Sequence, residues 1–115
     1  MMEKILVQTL LYDFYGELLT AHQKSIFEEV VLNDYSLSEI AEEKGISRQG
    51  VHDIVKRCNQ TLKGYEEKLQ LVEKFLNTKQ KVKEINLFAQ NLDNVKEVEV
   101  LQKIEKLSKE ILEEL

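Results

Sequence analysis

Between Ser36 and Arg57 the chain reads SLSEIAEEKGISRQGVHDIVKR, two short amphipathic phrases hinged on one glycine, each opened by a serine. Ser36 with Glu39 makes a capping box, and Tyr35 with Ile40 supplies a hydrophobic staple. A short helix over Leu37 to about Lys44 follows, and Gly45 suits the left-handed backbone at its end. Ser47 caps the next helix, with Ile46 and Val51 as its staple. Two capped helices this close together must cross steeply through a tight turn, and the crossing needs a small side chain. Ala41 supplies it. The stretch therefore predicts a helix-turn-helix.

The remainder is helical too. There is no proline and there are only four glycines in 115 residues, so little interrupts a helix. A first helix is expected from about Glu3 to Leu19, with two apolar rows, Leu6/Leu10/Phe14/Leu18 and Val7/Leu11/Tyr15. Such a stripe is wider than one partner requires. Thr20 with Gln23 forms a capping box for a second helix that ends at Asn33-Asp34. After Gly64 the residues Leu62, Tyr65, Leu69, Val72 and Leu76 step by three and four, the seam of a coiled coil or antiparallel pair. A break is expected at Asn77–Lys79, then a helix over Gln80 to Gln90, a turn at NLDN, and a last helix capped by Asn94 with Glu97. The expected fold is all-α: a helix-turn-helix core over 1–64 and a C-terminal helical extension over 65–115. The extension packs on the core or forms a dimer interface. The surplus apolar surface predicts a homodimer.

Charge locates the functional face. The net charge is −5, unusual for a nucleic-acid binder, but within 47–63 Arg48, Lys56, Arg57 and Lys63 stand against Asp53 alone, a local balance of +3. The N-terminal end of the second helix of such a motif enters the major groove. Arg48 can pair with guanine and Gln49 with adenine, with His52 one turn later. Ser47 and the open N–H groups of the first turn can meet a phosphate. Lys56, Arg57 and Lys63 are placed for the phosphate backbone. Asp53 shares that face and would repel phosphate unless it accepts from a cytosine amino group.

Other classes of function find little support. One cysteine and two histidines lack metal-ligand spacing and allow no intrachain disulfide. No nucleophile stands beside a base and no phosphate loop is present, so neither an enzyme nor a cofactor is expected. Cys58 falls with Val51, Val55 and Leu62 on the inner face of its helix and reads as a packing thiol. The apolar N-terminal stretch is broken by charged and polar residues and carries no cleavage signal, so a cytoplasmic location without membrane insertion is expected.

The span LTAHQKSIFEEVVLNDYSLSEIAEEKGISRQGVHDIVKR resembles region 4 of bacterial sigma factors, the part that reads the promoter −35 element. The phrases YDFYGELLT, SLSEIAEEKGISRQGV, DIVKR and YEEKLQLVEKF, between Tyr12 and Phe75, resemble more closely the YlxM family of small bacterial helix-turn-helix proteins. Family members usually carry Ala and Tyr where this chain has Gly50 and His52. The resemblance implies a DNA-binding regulator. It also implies a role in the signal recognition particle pathway, whose genes commonly neighbour those of the family. The alternative is an adaptor that does not bind DNA and contacts a protein or RNA component of that pathway. The net charge and Asp53 favour the adaptor; the basic face of the second helix favours DNA.

Overall fold

The computed structural model describes residues 4–91 and 97–115. All regular structure among them is helical: α1 (Lys4–Tyr15), α2 (Ala21–Phe27), α3 (Leu37–Lys44), α4 (Arg48–Leu69), α5 (Leu71–Gln90) and α6 (Glu97–Glu114). The chain forms two compact units, Met1–Gln70 and Leu71–Leu115.

In the first unit, the two apolar rows of α1 have different fates. Leu11 and Tyr15 of one row are buried, whereas Leu6 of the other is more than half exposed. The α-helix ends at Tyr15, before the expected Leu19, and tightens into a 3-10 turn over Gly16–Leu18. The Tyr12 ring explains why a glycine stands there: a Cβ on Gly16 would lie 2.8 Å from it. That ring stacks on Phe27 with centroids 5.1 Å apart, and its hydroxyl donates to the Glu28 carboxylate. The Tyr15 hydroxyl donates to Glu66 Oε1 at 2.5 Å, which ties α1 to α4.

Thr20 caps α2 reciprocally with Gln23, as the sequence predicts. The helix then widens into a π turn, Glu28–Leu32, and closes where Asn33 N–H reaches Glu28 O at 2.9 Å. Asp34 takes a φ of 58°, and the chain turns toward α3.

At the hinge both serine caps expected from the sequence form, Ser36 through the Glu39 N–H arm of its capping box. Ser36 Oγ accepts from Glu39 N–H at 3.1 Å, and Ser47 Oγ from Gly50 N–H at 2.9 Å. Gly45 sits at φ 69°, where a side chain would be strained. Ile26, Ile40 and Val51 form a fully buried knot, against which Val30, Leu37, Ala41, Ile46, Ile54 and Val55 pack. Each of the three buried side chains contributes about 1.5–3 kcal/mol relative to exposure. The knot draws on α2, α3 and α4 together, so it fixes the crossing of the motif.

Two elements differ from expectation beyond Gly64. Helix α4 runs through Gly64 without interruption and stops at Gln70, whose φ is 54°. The boundary therefore lies at Gln70, and the seam from Leu62 to Leu76 spans two helices. In turn, α5 runs unbroken through Asn77–Lys79. Asn and Thr inside a helix each cost only about 0.7 kcal/mol relative to alanine, too little to end one without glycine or proline.

The second unit is an antiparallel pair of α5 and α6. Lys81 Nζ donates to Glu114 at 2.8 Å and lies 3.8 Å from Glu110. The hydrogen bond to Glu114 is the main reason the Lys81 pKa lies above its ordinary value. Val100 and Leu107 of α6 are buried. The expected cap at Asn94 lies outside the described residues.

Candidate nucleic-acid interface

The interface is built on α4. Its inner side, Val51, Cys58 and Leu62, is wholly buried and anchors the helix. Every residue assigned to nucleic acid from the sequence, namely Ser47, Arg48, Gln49, His52, Lys56, Arg57 and Lys63, is exposed. Ser47 Oγ uses one acceptor position on the Gly50 N–H and can still donate its proton to a phosphate oxygen.

Two depressions organise these side chains. Arg48, Gln49 and His52 meet Leu37 of α3 around a shallow notch of about 500 Å³. His52, Lys56 and Lys63 line a cleft of about 470 Å³ whose far wall is Val7, Gln8 and Leu11 of α1. His52 lines both, so the two depressions meet at that side chain on α4. Arg57 lines neither. It follows Lys56 by one position and so points about 100° further round the helix. Five of the seven residues expected from the sequence, Arg48, Gln49, His52, Lys56 and Lys63, line these depressions, Ser47 lines neither, and the sequence reading misses the contribution of α1. Gln8 carries no local sign of it, since only the fold brings α1 alongside α4.

Asp53 lines neither depression but pairs with two residues that do. Gln49 Nε2 donates to Asp53 Oδ1 at 3.0 Å, and His52 Nδ1 lies 3.6 Å from that oxygen. The spacing of Gln49 and Asp53 is i,i+4, so this pairing was available in the sequence as a helical neighbour rule.

Cys58 is fully buried with Sγ 4.0 Å from Gln23 O, and burial pushes its thiol pKa up, away from the reactive thiolate. Among the described residues no group of three or more His, Cys, Asp or Glu side chains could hold a metal ion. Among the same residues no helix is long and apolar enough to cross a membrane.

Comparison with known proteins agrees with this architecture. Residues 2–111 match a family model described as "Putative helix-turn-helix protein, YlxM / p13 like". A UPF0122 protein of Caldanaerobacter subterraneus is 54% identical over 85 residues, covering 74% of this chain and 73% of the relative. One from Acetivibrio thermocellus is 44% identical over 116 residues, covering 97% of this chain and 99% of the relative. A third, from Bacillus pumilus, is 42% identical over 107 residues, covering 92% and 97% respectively.

Proposed function

We propose that this chain, which belongs to the YlxM/p13-like helix-turn-helix family, is a non-enzymatic cytoplasmic regulator that reads double-stranded DNA with α4. The observation that carries the reading is that Arg48 and His52, at the end of the motif that meets the major groove, and Lys56 and Lys63 further along α4 line two depressions that share His52. Arg48 reads a guanine edge. Ser47 and the first-turn N–H groups hold a phosphate, and Lys56 and Lys63 follow the backbone. Arg57 meets phosphate only on the opposite flank. A homodimer would present two copies of α4 to two half-sites. Exposed apolar residues such as Val82 on α5 and Leu101 and Leu112 on α6 support that assembly. So does charge: α5 carries four lysines against two glutamates, and α6 six glutamates against three lysines.

A second reading rests on Asp53 and the net charge of −5. In it the motif is a scaffold that contacts a protein or RNA component of the signal recognition particle pathway, the association that the family resemblance implies. A salt-titrated binding assay separates the two, using a pool of promoter-containing DNA fragments and, in parallel, the particle's RNA. DNA reading predicts that Arg48→Ala relaxes sequence preference and costs about 1–3 kcal/mol on the preferred site. It also predicts that Lys56→Ala weakens all sequences alike and lowers the salt slope by about 1. Wild-type binding to the RNA and not to the DNA at low salt would transfer the conclusion to the adaptor.

A further inference from the structure

The cleft between α1 and α4 has parts that a DNA backbone leaves unused. Phosphates account for Lys56 and Lys63, but they do not cover the half-buried Val7 and Val55 or the buried Leu11. None of the nine residues lining the cleft is acidic, in a chain whose net charge is −5. Among the described residues neither Lys56 nor Lys63 has an ion-pair partner, whereas Lys24 and Lys81 both do. Asn59 lines the same cleft, and its Oδ1 is shut off from solvent without a hydrogen-bond donor. An acceptor left in that state is unfavourable.

These groups specify an occupant. His52, Lys56, Asn59 and Lys63 follow at intervals of four, three and four, so they share one face of α4 over about 16.5 Å. The cleft measures about 470 Å³, within the range of about 300–1,000 Å³ that small-molecule sites take. Val7, Leu11 and Val55 suit an apolar body. Lys56 and Lys63 suit an anionic group, which their ammonium groups meet with charge-assisted hydrogen bonds. Turning the Asn59 amide about its Cβ–Cγ bond offers the orphaned oxygen to an N–H or O–H on the occupant.

We propose that this cleft is the binding site of a small organic anion with an aromatic or other apolar body and a hydrogen-bond donor. The site itself does not depend on DNA reading. One consequence does rest on that reading: an occupant takes Lys56 and Lys63 from the DNA backbone, so its binding weakens duplex affinity.

The probe for the test is anilinonaphthalene sulfonate, which joins an anion, an aromatic body and an N–H. Two further probes each lack a part. Phenylnaphthylamine has the body and the N–H without the anion, and inorganic sulfate has the anion without the body. Each is titrated into the full chain and followed by amide chemical shifts. The sulfonate probe should bind one to one, with shifts on both walls, at residues 7–11 and 55–63. The other two should bind about tenfold more weakly or worse. Lys56→Ala combined with Lys63→Ala should weaken the sulfonate probe about tenfold and phenylnaphthylamine much less. Both lysines are exposed and alanine is the better helix former, so the double variant should fold, which circular dichroism checks. Asn59→Ala should weaken both aromatic probes and leave sulfate unchanged. Equal affinity for the two aromatic probes, or wild-type affinity of the double variant for the sulfonate, would overturn the anion site. So would shifts centred on the apolar groove of α5, residues 75–89. A duplex selected from the promoter-containing pool is then titrated at low salt, and saturating sulfonate probe should lower its affinity about tenfold. An unchanged affinity, with the probe seated in the cleft, would overturn the competition. Absence of any duplex binding would overturn DNA reading, and the competition with it, while the anion site stands.

Discussion

Tyr12 joins three pieces of the first unit through one side chain. Its ring occupies the space that a Cβ on Gly16 would need and stacks on Phe27, and its hydroxyl reaches Glu28 at the start of the π turn. Burial first, and then the hydrogen bond and charge of Glu28, push its phenol pKa well above the ordinary value. In the unfolded chain the phenol ionises near about pH 10, while the folded chain keeps the proton to higher pH. The stability that this difference supplies is complete below the unfolded pKa and is lost as pH rises through the folded one. Tyr12→Phe removes both the hydrogen bond and the ionisation. The variant should melt below wild type near neutral pH, and the gap should narrow above about pH 10. Thermal melts of both proteins across that range check it, and a gap independent of pH would contradict it.

At the scale of elements, the motif was legible because its punctuation is local. Ser36, Gly45 and Ser47 each act through backbone groups within three or four residues, so their spacing alone locates the ends of α3 and the start of α4. The candidate site was legible for the same reason, since Arg48, Gln49 and His52 are placed by the start of α4. What stayed hidden depends on tertiary context. Gln70 ends α4 in a left-handed conformation without being Gly or Asn, and the π turn after Phe27 carries no residue signature. Asn77–Lys79 looked like a break and proved to be helix interior, where the packed pair of α5 and α6 outweighs weak propensity. Gly64 misled in the same way. It lies inside α4, and a Cβ there would meet no atom within 4 Å. Gly64→Ala should therefore stabilise the chain by about 0.5–1 kcal/mol. Gly50→Ala should gain less, because its Cβ would sit 3.1 Å from the capping Ser47 Oγ. Urea midpoints of the two variants against wild type decide this, and equal shifts would mean that the cap is not crowded.

Across the whole molecule, the two units differ in what they offer. The first carries the motif and the basic face of α4. The second is a helical pair whose basic α5 and acidic α6 leave apolar side chains on their outer faces. Association of two chains through such faces would cover apolar surface and match opposite charges. Sedimentation at micromolar concentration should give twice the 13.5 kDa chain mass, and a single 13.5 kDa species would contradict the dimer. The central claim, that the start of α4 is the DNA-reading face, has a more direct test. A titration of the isotopically labelled full chain with a short duplex taken from the selected pool, followed by amide chemical shifts at low salt, locates the contact residue by residue. The predicted result is shifts concentrated over Ser47–Lys56, with Leu37 at the notch. Shifts concentrated in Leu71–Leu115, or none at low salt, would contradict the account.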